Sequence, residues 1–220
     1  MKAACNLQLV NVCLEPILQN ATRDFEKGSA TAIFTGSAAN CATFIEALLG
    51  MRAAGSGDIL LFGKNVKNLS EKKLMELRYR IGVHIRRGGL ISNLKVVENV
   101  TLPLLYHSSE KTVVIFNKAL AALDRAGYRG DPFLLPGQLS APQRAAVGMA
   151  RVFAVNPELV IFDRLGEDLP EAERKTFINM ALDFHRETPD RTTLFIFPNP
   201  NAVLGNTPLT VLNLSDGVFK

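Results

Sequence analysis

Ser29 to Gly50, SATAIFTGSAANCATFIEALLG, is the stretch from which the fold can be read. Ala30 to Thr35 is an apolar strand. Small residues make a turn, and a helix follows whose apolar face is Phe44, Ile45, Leu48 and Leu49, stopping at Gly50, which suits a left-handed cap. A strand that runs straight into a helix N-terminus is the layout of a phosphate-binding loop. In the pattern G-x-x-x-x-G-K-[ST], consecutive backbone N–H groups cradle phosphates and the lysine reaches the outer ones. Gly36 and Thr43 occupy the ends of that pattern, while Cys41 stands for the second glycine and Ala42 for the lysine. Gly36, Ser37, Ala38, Ala39, Asn40, Cys41, Ala42 and Thr43 therefore form a vestigial nucleotide loop. It offers oriented N–H groups and a helix dipole of about half a charge. It lacks the counter-charge that a triphosphate requires. With half of the pattern matched, an ordinary βα turn that holds no nucleotide is an equal reading.

Around this stretch, 220 residues suffice for one α/β domain with an insert that buries its core without staples. The apolar runs are all shorter than the eighteen or so residues of a membrane span. The chain does not open on a charged segment followed by an apolar one, so export is not expected. Cys5, Cys13 and Cys41 are an odd set without metal spacing, which fits reduced thiols. The formal charge of +4 is too diffuse for a nucleic-acid binder. Its densest patch, Arg78, Arg80, Arg86 and Arg87, reads as a solvated face. His84, His107 and His185 are scattered without ligand spacing, so no metal site is expected.

In chain order, residues 4 to 13 alternate as an edge strand through Leu7, Leu9 and Val12. Arg23 to Gly28 reads as a hairpin end leading into the strand at Ala30. Gly55 to Val66 is a strand between glycine turns, and Ser70 caps a charged helix reaching Arg80. Ile81 to Val83 is a short strand. Arg86 to Val100 is a loop entering an amphipathic helix, and Asn117 to Gly127 is a second helix. Ser140 with Gln143 makes a capping box that opens a helix to about Ala154. Glu158 to Asp163 is a buried parallel strand ending in an acid, and Pro170 to Glu187 is an amphipathic helix. Thr192 to Phe197 is a further buried strand. Leu209 to Leu214, turning at Ser215-Asp216-Gly217 into Val218-Phe219, is a terminal hairpin. Strands alternating with helices predict a mainly parallel sheet.

With these elements placed, nearly the whole chain resembles the ATP-binding subunit of an ABC transporter. The resemblance is carried by Gly55-Ser56-Gly57-Asp58-Ile59-Leu60-Leu61-Phe62-Gly63-Lys64, and by Leu139-Ser140-Ala141-Pro142-Gln143 leading through Ala150-Arg151 to Asn156-Pro157-Glu158 and Asp163. Gly89 to Leu104 is most similar to the ATPases of Mla or MCE-type lipid transport systems. The resemblance implies a P-loop NTPase (RecA-like) α/β core, at about 1–83 and 158–220, with an N-terminal antiparallel β portion. A helical subdomain is inserted at about 84–157, all within a single domain.

It also implies what has been lost. Ala42 stands at the Walker A lysine, Arg86 at the Q-loop glutamine, Arg164 at the glutamate after the Walker B aspartate, and Pro198 at the switch histidine. Thr43, Ser140 and Asp163 keep their types. No aromatic residue precedes Phe25 to stack on adenine. Asp163 would hold Mg²⁺ in an active relative, and it would hold a loop otherwise. Ser140 would touch a partner's nucleotide, and its capping role explains it equally. Phosphoryl transfer rests on positioning and charge stabilisation, so the implied subunit has no catalytic residue and binds no cofactor tightly. It would be a structural or regulatory partner of a membrane permease, perched at the cytoplasmic face of the membrane, with a second ATPase-type subunit as a further partner. Arg86, Leu90, Ile91, Leu94 and Val97 would line the permease contact. The alternatives are a weak ATPase with ATP and Mg²⁺, recruiting Arg86, Arg87 or Arg164 as its missing cation, and a soluble interaction module.

Overall fold

The computed structural model describes residues 5–107, 110–200, 209–215 and 217–220. Two sheets organise it. The first is antiparallel, in the order β2 (Leu18–Glu26), β1 (Cys5–Leu14), β4 (Ser56–Leu61), β5 (Lys64–Asn65). The second has the order β10 (Val218–Phe219), β9 (Thr210–Ser215), β3 (Ala30–Phe34), β8 (Thr192–Phe197), β7 (Leu159–Asp163), β6 (Ile81–His84). Its strands are parallel except for β10, which turns back on β9. The expected terminal hairpin is therefore present, although Asp216 of its turn lies outside the described residues. Among the described residues there are six α-helices: α1 (Ala38–Leu48), α2 (Glu71–Arg78), α3 (Val96–His107), α4 (Thr112–Arg125), α5 (Ala141–Val155) and α6 (Glu171–Arg186).

Every residue of β7 and β8 is buried, as continuous apolar runs in a parallel sheet should be. Alternation along these strands splits the core in two. Phe162, Phe195 and Phe197 face the helical side with Met149, Val152 and Phe153. Ile161, Leu194 and Ile196 face α1 and the antiparallel sheet, meeting Phe44, Leu48, Leu7 and Leu9. Each such side chain contributes roughly 2 kcal/mol of burial, so β7 and β8 tie both layers to one sheet.

Three expectations need correction. β1 is not an edge strand: it pairs with β2 on one side and with β4 on the other. Arg23 to Gly28 is not a hairpin end either, because β2 and β3 belong to different sheets; the chain changes layer at Gly28, whose φ of 75° the turn demands. α4 begins five residues ahead of its expected start. Val113 and Val114 are exposed, so the apolar periodicity that reveals the helix starts only at Ile115.

α3, α4 and α5 pack on one another beside the β6 edge. The linker from β6 to α3 meets α5 at a contact between two glycines. A Cβ on Gly88 would lie 2.2 Å from the Arg144 carbonyl oxygen, and one on Gly148 would lie 2.6 Å from the Gly88 Cα. Downstream, buried Asn99 pins the linker from the first turns of α3. Its Oδ1 accepts from the Ile91 N–H at 2.8 Å, and its amide donates to the Leu94 carbonyl at 2.9 Å.

Candidate functional site

Three strand ends lie side by side at the carboxyl edge of the parallel sheet, where open α/β sheets place their ligands. The Thr35 N–H donates to the Phe197 carbonyl and the Arg164 N–H to the Ile196 carbonyl, both at 2.9 Å. The loop after β3, Pro198 after β8 and Asp163 at the end of β7 are thereby neighbours.

The loop after β3 is short because the helix begins early. Residues 38–43 of the eight-residue pattern are already in α1. Ser37 is its N-cap: the Ser37 Oγ accepts from the Asn40 N–H at 3.1 Å, and the Ser37 carbonyl accepts from the Cys41 N–H at 3.1 Å. The Asn40 amide reaches back to the Thr35 carbonyl at 2.7 Å. Of the N–H groups that a cradle would present to a phosphate, those of Asn40 and Cys41 are thus spent on capping and helix bonds. Cys41, where the pattern has a glycine, is fully buried 3.1 Å from the Thr35 hydroxyl, and burial raises its thiol pKa. Ala42, in the lysine position, is exposed.

At the end of β7 charge has accumulated instead. Asp163 is 5% exposed. The Arg164 guanidinium folds back onto its carboxylate, Nε to Oδ1 at 2.9 Å and Nη2 to Oδ2 at 3.3 Å, with its own backbone in the left-handed region at φ 49°. That bond raises the Arg164 pKa. The Arg86 N–H adds a contact to Asp163 Oδ2 at 3.4 Å. The Arg86 side chain meets Glu167 at 2.9 Å and also Asp168, and Arg87 reaches Asp168 at 3.2 Å. Burial works to raise the Asp168 carboxyl pKa, but the bonds from Arg86 and Arg87 prevail and lower it.

Ser140 and Gln143 behave as the capping box expected of them. Gln143 Oε1 accepts from the Ser140 N–H at 2.8 Å, and Ser140 Oγ accepts from the Gln143 N–H at 3.4 Å. The first residues of α5 and the loop after β7 enclose a cavity of about 190 Å³ whose lining includes His84, Arg87, Arg144, Arg164, Glu167 and Asp168. His84 is 1% exposed, and burial lowers its pKa from 6.5 to about 4.

The residues expected at a permease contact are not presented together. Val97 is 3% exposed and belongs to the core, because α3 turns it inward. Leu90 packs partly against that core, Leu94 is half-buried and Arg86 is bound to acids; only Ile91 of the four apolar side chains is exposed. A separate apolar groove of about 260 Å³ runs along the β6 sheet edge, lined by Val83, Leu102, Pro103, Tyr106, Arg151 and Val155.

The sequence reading missed Arg144, Glu167 and Asp168. A signal was present: two adjacent arginines at 86–87 and two adjacent acids at 167–168 are complementary pairs. The reading of Arg78, Arg80, Arg86 and Arg87 as one solvated face also fails. Arg78 binds the Leu49 carbonyl and Glu71, Arg80 stacks on Phe62 and pairs with Glu158, and the other two turn to the loop after β7. Among the described residues no cluster of His, Cys, Asp and Glu could hold a metal ion, and no helix is long and apolar enough to cross a membrane.

Residues 18–164 match a family model described as ABC transporter. The chain is 25% identical over 185 residues to the probable ribonucleotide transport ATP-binding protein mkl of Mycobacterium leprae, covering 84% of this chain and 53% of that protein. It is 29% identical over 154 residues to the intermembrane phospholipid transport system ATP-binding protein MlaF of Escherichia coli K12, covering 69% and 57%. It is also 30% identical over 175 residues to the cell division ATP-binding protein FtsE of Haemophilus influenzae, covering 78% of each. The chain thus spans little more than half the length of the first two. Among solved structures, the dimeric ATP-binding cassette MJ0796 bound to ADP and Pi superposes with a TM-score of 0.83 at 22% identity, over 97% of this chain and 96% of that one.

Proposed function

This chain belongs to the ABC transporter ATP-binding domain family, and from that premise we propose that it is a member which does not hydrolyse ATP and serves as a structural or regulatory partner of a membrane permease. The observation that carries the reading is the Arg164–Asp163 pair. Asp163 is the residue that would hold Mg²⁺ in an active relative. Here both its oxygens are bonded by the guanidinium that stands where the family places its catalytic glutamate. A divalent ion would have to displace the Arg164 guanidinium from a buried carboxylate, so these residues do not fit a magnesium nucleotide.

Two further observations support the reading. The loop at Gly36–Thr43 spends the Asn40 and Cys41 N–H groups on its own cap and has exposed Ala42 in place of a lysine. The cations that a weak ATPase would need to recruit, Arg86, Arg87 and Arg164, each already face an acid. For the permease contact we propose the groove at the β6 edge together with Ile91 in place of the whole segment from Arg86 to Val97. Leu102, Pro103 and exposed Tyr106 offer an apolar surface suited to a short helix. The helical unit between about 84 and 157 would be the subdomain that forms one side of it. A lipid as the transported molecule is favoured by the MlaF relatives and by the segment Gly89 to Leu104.

The test is nucleotide binding and turnover. ATP with Mg²⁺ at several millimolar should leave the melting temperature unchanged and release no phosphate above the buffer blank. A stabilisation following RT ln(1 + [L]/Kd) that persists in Arg144→Leu, or turnover abolished by Asp163→Ala, would overturn the reading. In the variant Cys41→Gly, Ala42→Lys, Arg164→Glu, nucleotide stabilisation should appear.

A further inference from the structure

The polar cluster between the loop after β7 and the start of α5 contains four arginines, Arg86, Arg87, Arg144 and Arg164, and three acids, Asp163, Glu167 and Asp168. The acids are spoken for. Asp163 takes Arg164, Glu167 takes Arg86, and Asp168 takes Arg86 and Arg87. Arg144 pairs with none of them; its guanidinium donates to the Leu139 carbonyl. A guanidinium carries five N–H donors in a fixed fork, and these pairings use only part of the set on Arg87, Arg144 and Arg164. All three line the cavity of about 190 Å³, which also touches Ala141, the first residue of the fifteen-residue helix α5.

We propose that this cavity binds one phosphate-type oxyanion. Donors and positive charge are in excess there, the carboxylates already have partners, and the helix dipole adds to the same sign. A volume of about 190 Å³ is ample for a phosphate group with some solvent. Gly36 to Thr43 contributes no residue to the lining, so the site is separate from the vestigial loop, although it shares Arg164 with the reading given above. Bound there, the anion joins Arg144 of α5 to Arg87 of the linker and Arg164 of the β7 end. It would staple the helical unit to the core. The source of the group is either inorganic phosphate or the phosphate of a small ester.

The experiment is calorimetry and thermal melting of the whole protein with sodium phosphate, against sodium chloride at matched ionic strength. Phosphate should raise the melting temperature beyond chloride, and Arg144→Leu should weaken its binding at least tenfold, with Arg144→Lys retaining part of it. Arg87→Gln, at an exposed side chain that leaves the core untouched, should also weaken binding. Equal stabilisation by phosphate and chloride, or affinity indifferent to both Arg144→Leu and Arg87→Gln, would overturn the site. Parallel titrations with a small phosphate monoester distinguish the sources: tighter binding of the ester than of inorganic phosphate, lost in Arg144→Leu, assigns the site to the ester, and weaker binding assigns it to the free ion. ATP stabilisation that survives Arg144→Leu would contradict the proposed function, while the phosphate arm alone decides this one.

Discussion

The start of α1 and the end of β7 lie next to each other and have reached the same condition by opposite routes. At α1 charge is absent. Ala42 is exposed, and the polar groups of Ser37, Asn40 and Thr35 satisfy one another. At β7 charge is dense, with Asp163, Arg164, Glu167 and Asp168 joined by Arg86 and Arg87. In both places the named polar side chains have found partners within the protein. A neutral loop achieves this with hydrogen bonds that are individually weak, whereas a charged one achieves it with partners that cannot be removed singly.

That difference sets the largest expected effect. Arg164→Ala leaves Asp163 buried without its counter-charge and should cost about 3–5 kcal/mol, read by urea denaturation. Removing both partners in Asp163→Ala with Arg164→Ala should recover much of the loss. At the other site, Ala42→Lys should stay within about 0.5 kcal/mol of the parent. Equal costs at the two sites would erase the contrast.

Acid offers a second probe. His84, beneath the charged site, has its folded pKa lowered to about 4 from 6.5 by burial. Between those values the unfolded chain binds a proton that the folded chain refuses, so stability falls as pH drops from about 6.5 towards 4 and then levels. The loss is on the order of 3 kcal/mol, and His84→Gln should flatten the curve over that window. A parent curve already flat there would mean that His84 is protonated where it sits.

The smallest effect compares two caps. Ser37→Ala and Ser140→Ala should each cost about 1 kcal/mol. Ser140→Ala leaves the reciprocal bond from the Ser140 backbone N–H to Gln143 Oε1 in place and should be the less costly of the two. Should Ser37→Ala cost nothing, the start of α1 is open in solution and the closed-loop description fails.

Local signals made most of the framework legible. The capping box at Ser140, the cap at Ser70, the buried runs of β7 and β8 and the strand–turn–helix at Ala30 are each encoded within a few residues, and each stands where expected. What escaped depends on partners far along the chain. β1 has the alternation of an edge strand, yet its second neighbour, β4, arrives more than forty residues later. Whether Arg86 faces water or Glu167 is fixed only when β6 and β7 pair, eighty residues apart in sequence. The substituted positions of the loop could be read from the sequence, but the early winding of α1 could not, because it depends on Asn40 turning back to Thr35.

The contact of Gly88 with Gly148 has a bearing on how such a chain can drift. Charged groups here compensate one another across the loop after β7, so a paired substitution can keep the balance. The backbone crossing at these glycines has no such freedom: a single methyl at either position collides with main chain, and no second substitution supplies the missing room. The crossing between the linker and α5 is therefore set by volume, and it restricts substitution more tightly than the charge pairs beside it do.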